Sequence, residues 1–234
     1  MIRWRNVMRT APLAALLAGA GFAAAQPPGA PHGFGRSFEP RVEGVPFRAV
    51  SVVEFVGNGS EGNMSARRTT GVVARDAAGR TRREDALGPE EDRVVAIDDP
   101  VASVRYVLFP DREEGRKFTK RVPQPMGERI RGLRGADGPP EVKTESLGTQ
   151  SIAGVEAEGT RDTITVPAGV HGSESPVEVV SERWYSAELK TVVRHRHIGP
   201  RGERTWTLTE ITRGEPEASL FEVPADIEIE EGIR

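Results

Sequence analysis

The 234-residue chain contains no cysteine. Disulfide bonds, thiol catalysis and thiolate metal sites are therefore excluded, and so is a lipid-modified N-terminal cysteine. Exported proteins meet an oxidising environment in which disulfides commonly stabilise small domains. This chain must instead fold on its hydrophobic core alone.

The chain also lacks an apolar run long enough to cross a bilayer as a helix, which takes about 20 residues. The longest candidate, Ala11–Ala24, is shorter than that and follows three arginines, Arg3, Arg5 and Arg9. It ends in a small-x-small sequence with Ala25 before Gln26. A positive start, a short apolar core and such an exit are typical of a cleaved signal peptide. We predict a signal peptide at residues 1–25, and a retained membrane anchor is the alternative.

No excess of basic residues is present. The formal net charge is −3, and removal of the three arginines of the signal peptide changes it to −6. A mildly acidic exported protein is not a general nucleic-acid binder. We expect a soluble periplasmic or extracellular protein that is not a lipoprotein and does not span the membrane after signal removal.

Two regions follow the signal peptide, and the second contains an unusual segment. Residues 26–45 are rich in proline and glycine, which predicts a disordered tether. Residues 46–234 then form a single β domain. Within it, residues 123–143 hold many proline, glycine and charged residues, which predicts a long flexible segment or a lid.

The pattern of the domain is strand after strand. Short runs of period 2 are bounded by Gly, Asp, Asn and Pro. Clear examples are Phe47–Val56, Met64–Arg75 and the hairpin of Val177–Tyr185 with Leu189–Ile198. Only the signal peptide has a helical pattern. About ten to twelve strands in one chain predict an all-β fold, an antiparallel curled sheet or unclosed barrel.

Six stretches carry a resemblance to a known family: GVPFRAV, AAGRTRRED, IDDPVASVRYVL, LGTQSIAGVEAEGTRDTITVPAG, PVEVVSERWYSAELKTVV and EPEASLFEVPADIEI. They are similar to a family of uncharacterised exported proteins common in Acidobacteria-like genomes. The resemblance covers nearly all of the mature chain. The resemblance implies that the chain is exported. It implies no activity, because none is established for the family.

A second, more distant resemblance lies in the late hairpin ERWYSAELKTVV, the strand after it and SLFEVP near the end. These features are similar to the lipoprotein-carrier superfamily, which includes the periplasmic lipoprotein chaperone and an envelope-stress sensor domain. The resemblance implies an unclosed antiparallel barrel lined with apolar side chains and covered by helices. The chain has no pattern for an N-terminal helix or lid helices, so the resemblance implies the sheet more than lipid carriage.

His195 and His197 are the best candidates for metal ligands. Residues two apart on a strand share a face, so both imidazoles point the same way. Zn²⁺ and Cu²⁺ favour imidazole, and Glu210 or Glu182 could supply a third ligand from a neighbouring strand. The alternative is two histidines at the surface or rim of the sheet.

Catalysis by other groups has no support in the sequence. The paired carboxylates lie at turns, where Asp and Glu cap the backbone. No G-x-S-x-G elbow and no phosphate-loop spacing is present. We therefore expect no cofactor and no enzymatic activity, with a metal-assisted enzyme at His195 and His197 as a minor alternative.

Arginines are concentrated in two predicted strands, and Arg67, Arg80 and Arg82 are candidates for binding an anionic headgroup, carboxylate or acidic partner. The alternative is a solvated sheet face with cross-strand Arg–Glu pairs. Trp184 and Trp206 are candidates for the lining of an apolar ligand cavity. Their alternative role is core packing.

The sequence thus predicts a non-enzymatic binding protein of the cell envelope. In the favoured interpretation it is a carrier or sensor whose concave face holds a lipid or another apolar or amphipathic ligand, since one face of a single curled sheet must be wet or filled. The alternative is an interaction module that docks an envelope protein through its sheet edges and Arg-rich face. An open apolar concave face would favour the first, and a packed face the second.

Overall fold

The structure is a computed structural model that describes residues 42–58, 64–86, 93–119, 141–168 and 174–232. The predicted signal peptide, its cleavage site and residues 26–41 of the predicted tether lie outside these ranges, as do residues 123–140. The last residues assigned to the tether contact the domain. Val45 packs against the core, and the Gly44 N–H donates to the Ala77 carbonyl at 3.0 Å. Residues 141–143 begin a strand rather than ending the segment predicted at 123–143.

The described residues form one sheet of twelve strands. They are β1 (Phe47–Asn58), β2 (Met64–Arg75), β3 (Thr81–Ala86), β4 (Arg93–Asp99), β5 (Val104–Phe109), β6 (Glu114–Thr119), β7 (Glu141–Ile152), β8 (Val155–Val166), β9 (Val177–Ser186), β10 (Thr191–Gly199), β11 (Gly202–Arg213) and β12 (Glu228–Glu231). Short 3-10 turns lie at Pro110–Arg112 and Ala218–Phe221.

The strand order is β12-β6-β5-β4-β3-β2-β1-β11-β10-β9-β8-β7, so β12 and β7 form the two edges. The predicted all-β fold, an antiparallel curled sheet that does not close into a barrel, is confirmed. One strand pair of the described sheet is not antiparallel: β12 runs parallel to β6. The chain after β11 crosses the sheet to reach that edge, and a crossing connection, unlike a hairpin, allows parallel pairing.

In the part of the chain that the structure describes, no helix is long and apolar enough to cross a membrane.

The sheet bends toward one of its faces. The Trp206 ring in β11 lies 5.5 Å from the guanidinium of Arg83 in β3, although β1 and β2 lie between these strands. Three strand spacings measure about 14 Å in a flat sheet. The two side chains therefore meet over a concave surface. We call this side the concave face and the other side the convex face.

Within the ranges that the structure describes, apolar packing occurs in two clusters. The larger one joins the start of β1 and the end of β2 to the β7–β8 and β9–β10 turns, and it comprises Phe47, Ala49, Val73, Ile152, Val155, Ala157, Leu189, Val193, Trp206 and Leu208. The smaller one comprises Val95, Ile97, Leu108 and Ile227. It lies on the convex face of β4 and β5, where residues 214–232, which we call the C-terminal segment, cover it.

Candidate functional site

The concave face can be read as rows of cross-strand partners, because paired residues point to the same side of a sheet. One row crosses β9, β10, β11, β1 and β2 and comprises Arg183, His195, Trp206, Val53 and Thr69. The next row toward the β10–β11 turn comprises Ser181, His197, Arg204, Phe55 and Arg67. The two rows bring polar, charged and aromatic side chains onto one surface.

Polar side chains are packed into the middle of this face. Asp162 of β8 accepts a hydrogen bond from the Thr144 hydroxyl at 2.7 Å and one from the Arg183 guanidinium at 3.4 Å. The His195 ring lies with Nε2 3.0 Å from the Ser181 hydroxyl. Buried polar groups of this kind are costly unless they are hydrogen-bonded, so these contacts hold the face together.

Burial of these side chains decides what the face can hold. His195 is 5% exposed, Trp206 is 4% exposed and Asp162 is 2% exposed. Side chains that water hardly reaches cannot line an open ligand cavity. The middle of the concave face is therefore filled by the protein itself.

The charged packing continues toward β3. Burial raises the pKa of Asp85, while the guanidiniums of Arg83 and Arg204 oppose the rise. Arg83 also lies over Trp206 at 5.5 Å, a cation–π distance. Charged groups from β3 and β11 thus interact across the curl of the sheet.

Basic side chains gather at the end of the concave face near the β10–β11 turn. His197 and Arg204 are cross-strand partners, Arg201 lies in the turn, and Arg67 is exposed in the same row. We call these four residues the basic rim. Burial, followed by the cationic Arg204 and Arg201, lowers the pKa of His197. The same positive charge that disfavours protonation of His197 favours the binding of an anion beside it.

Arg80 and Arg82, two predicted anion-binding residues, contact the C-terminal segment. Arg80 pairs with Asp76 at 2.5 Å and lies 5.2 Å from the Phe221 ring. Arg82 donates to the Leu220 carbonyl at 3.1 Å. Both guanidiniums therefore lie apart from Arg67 and hold the segment against β3.

Trp184 and Trp206 lie on opposite faces of the sheet, and both contact the larger apolar cluster. The two tryptophans are on β9 and β11, with β10 between them. Trp184 opposes Gly159 and Arg194 on the convex face, whereas Trp206 is on the concave face. A Cβ atom at Gly159 would come within 2.8 Å of the Trp184 ring, so the indole occupies the space over that glycine.

His195 and His197 share the concave face, as the period of the strand predicts. Glu182 is the cross-strand partner of Arg196 and therefore points to the convex face, away from both rings. Glu210 is exposed and lies four positions beyond Trp206, the partner of His195. Among the described residues no group of three His, Asp or Glu side chains is placed to hold a metal ion.

The convex face carries a feature that the sequence analysis did not identify. A line of charged side chains crosses seven strands, from β7 to β2, and its charges alternate in sign from Glu145 to Glu203. We call this line the charge ladder. It comprises Glu145, Arg161, Glu182, Arg196, Glu203, Glu54 and Arg68.

Short contacts join the middle of the charge ladder. Arg161 donates to Glu182 at 2.7 Å, and Arg196 donates to Glu203 at 2.7 Å. Arg196 also lies 3.6 Å from Glu182. Hydrogen bonding from Arg196 lowers the pKa of Glu203. The acidic and basic positions would have been visible in the sequence had the strand order been known.

A depression of about 400 Å³ lies beside the end of the charge ladder, on β11, β1 and β2. Its lining includes Glu54, Arg68 and Glu203. Their charges pair with one another or with Arg196. Arg67 of the basic rim also lines the depression, so the depression adjoins the rim.

No protein-family model and no curated protein matches the chain. Similar solved structures include lipoprotein LppX of Mycobacterium tuberculosis, with 14% identity, a TM-score of 0.33 and coverage of 73% of this chain and 87% of that one. MucB in complex with MucA(peri) has 12% identity, a TM-score of 0.41 and coverage of 79% and 55%.

A LolA-superfamily protein of Nitrosomonas europaea has 10% identity, a TM-score of 0.33 and coverage of 76% and 90%. It belongs to the carrier superfamily that the late hairpin resembles. All three TM-scores lie below 0.5, so we draw no functional conclusion from these similarities. The resemblance to the Acidobacteria-like family stays a prediction.

Proposed function

We propose that the chain is an exported, non-enzymatic binding protein of the cell envelope that docks an acidic segment of an envelope protein on its basic rim. The observation that carries this proposal is the convergence of Arg67, Arg201, Arg204 and His197 at one end of a concave face. Arginine recognises carboxylates with two parallel hydrogen bonds, which suits an acidic peptide.

The packing of the concave face supports an interaction module over a lipid carrier. A carrier needs an apolar cavity large enough for its ligand. Here the middle of the face holds buried His195, Asp162 and Trp206, and the apolar cluster beyond them is closed around Leu208 and Val193, each 0% exposed. On the concave face, the basic rim is the charged surface that a partner would contact.

Binding of a fluorescent glutamate-rich peptide to the mature protein, followed by anisotropy, tests the proposal. We expect binding that weakens as salt is added, because exposed charges are screened. Reversal of two exposed cations in the variant Arg67→Glu/Arg201→Glu should weaken it about tenfold, the effect of about 1.4 kcal/mol.

Arg68→Glu is the matched control for the single variant Arg67→Glu, because each reverses one exposed cation. Arg68 adjoins Arg67 in sequence but opposes Glu54 and points to the convex face. Equal losses in the two variants would argue against the basic rim and for general charge attraction. Binding to phosphatidylglycerol vesicles but not to the peptide would assign the rim to lipid headgroups. Lipid found by mass spectrometry in extracted protein, without peptide binding, would favour the carrier.

A further inference from the structure

β7 is the longer of the two sheet edges. It has 12 residues, whereas β12 at the opposite edge has 4. Among the described strands, β7 pairs only with β8. The outer side of an edge strand presents backbone N–H and C=O groups that can pair with another strand.

The charge ladder ends on this edge. Glu145 is the cross-strand partner of Arg161, so it is the outermost member of the ladder. Lys143 lies two positions along the same strand, with its ammonium 3.1 Å from Glu145. The edge therefore presents a positive and a negative charge side by side on the convex face.

This pair of charges is self-complementary. When a second β7 approaches antiparallel with Thr144 opposite Thr144 of the copy, Lys143 of each chain faces Glu145 of the other. Opposite charges in directly facing positions stabilise strand pairs, and like charges destabilise them. The charge ladder then ends on one further opposite charge, because Lys143 of the copy lies beyond Glu145.

Neighbouring registers lack this match. A pairing centred on Lys143 places that lysine opposite its own copy and Glu141 opposite Glu145. A pairing centred on Glu145 places the two glutamates opposite each other. The register centred on Thr144 is therefore selected by charge over these two.

The length of regular strand agrees with this register. The pairing would span Glu141 to Leu147, with Glu141 of one chain opposite Leu147 of the other. The register between β7 and β8 shifts between Ser146 and Gly148, where Gly148 adopts a φ of 75°. The pairing would also cover Val142, a hydrophobic side chain that is 41% exposed.

From these observations we propose that β7 is a homodimer interface in which two copies of this chain pair antiparallel about Thr144. The interface is separate from the basic rim, which lies near the β10–β11 turn. The partner at β7 is a second copy of the chain because the Lys143–Glu145 pair matches its own two-fold image.

Sedimentation equilibrium of the mature protein measures the dimer dissociation constant. In a dimer of Lys143→Glu, position 143 of each chain is a glutamate that faces Glu145 of the other chain. In a dimer of Glu145→Lys, Lys143 of each chain faces a lysine at position 145 of the other. Each single variant should dimerise about tenfold more weakly than the unaltered protein. The double variant Lys143→Glu/Glu145→Lys restores opposite charges and should dimerise like the unaltered protein.

An equimolar mixture of the two single variants provides the control for folding. The two glutamates that Lys143→Glu presents at the edge then face the two lysines that Glu145→Lys presents, so a heterodimer should form where neither variant dimerises well alone. A monomer at every attainable concentration would overturn the proposal. So would dimerisation that the single variants leave unchanged. The variant Arg67→Glu/Arg201→Glu should lose acidic-peptide binding and still form the dimer. That result would show that the basic rim and the β7 interface act independently.

Discussion

His195 and His197 are two residues apart on β10 and share the concave face, yet their surroundings differ. His195 is 5% exposed and contacts the Ser181 hydroxyl at 3.0 Å. His197 is half-buried beside Arg204 and Arg201. One ring is therefore part of the packed interior, and the other reports the charge of the basic rim.

The pKa of His197 responds to burial first and to that charge second. Burial and the two guanidiniums lower it from its ordinary value of 6.5. The unfolded chain therefore binds more protons than the folded one between the lowered pKa and about 6.5, and stability should rise with pH across that window. We expect an NMR titration of the imidazole to give a pKa below 6.5, and His197→Gln to reduce the slope of unfolding free energy with pH.

Arg204→Gln tests the electrostatic part of this cause. Of the two cations, Arg204 has the larger effect on the pKa of His197, so its loss should move that pKa toward the ordinary value. Arg201→Gln should do so to a smaller extent. A pKa at or above 6.5 in the unaltered protein would contradict a positive rim.

Period-2 alternation was enough to place His195 and His197 on one face, but it could not place their neighbours. Glu182 points to the convex face because it opposes Arg196, and that register depends on a shift between Val192 and Arg194. A local shift of this kind leaves no mark in the sequence. For the same reason the sequence did not separate Arg82, which contacts Leu220, from Arg67 on the rim.

At the scale of whole strands, the charge ladder is the main electrostatic feature of the convex face. Its members come from β7 to β11 and from β1 and β2, and the pairing of β1 with β11 joins residues far apart in the chain. The sequence predicted strands at 47–56 and 64–75, close to β1 and β2. The sequence did not indicate the order of the strands in the sheet, so charge pairs between neighbouring strands could not be assigned from it.

Glu182 should be the most important member of the charge ladder for stability. It is 7% exposed and contacts both Arg161 and Arg196, whose side chains are 39% and 37% exposed. Glu182→Gln leaves these cations without their buried anion and should cost about 1–2 kcal/mol of unfolding free energy. Urea denaturation at neutral pH measures the loss.

Glu54→Gln is the control at the exposed end of the ladder. Glu54 lies 3.6 Å from Arg68, with side-chain exposures of 58% and 64%, and exposed pairs contribute about 0.5 kcal/mol or less. Equal destabilisation by the two changes would show that burial does not set the strength of the ladder.

At the scale of the molecule, the sheet was predictable and the filling of its concave face was not. Alternating runs and turn residues predicted an all-β curled sheet. The bend of the sheet decides which side chains fill its concave face. Arg83 contacts Trp206 because β3 and β11 approach each other across that face. A single strand pattern carries no information on that curvature.

The C-terminal segment completes the molecule on the convex face. Its Phe221 and Ile227 are buried, and the Glu228 N–H donates to the Glu113 carbonyl at 2.8 Å where β12 joins β6. The convex faces of β4 and β5 are thereby covered by an irregular segment rather than by helices. The sequence placed SLFEVP near the end of the chain but did not indicate which face it covers.

Ile227 tests whether this cover is part of the cooperative fold. It is 8% exposed and packs with Val95, Ile97 and Leu108, so Ile227→Ala should leave a cavity and cost about 2–4 kcal/mol. Glu228→Ala, at the exposed neighbouring position, should change stability by less than about 0.5 kcal/mol. Guanidinium denaturation followed by tryptophan fluorescence reads the loss at Trp184 and Trp206, which contact the other apolar cluster. An unchanged fluorescence transition in Ile227→Ala would mean that the segment detaches alone and that the sheet is stable without its cover.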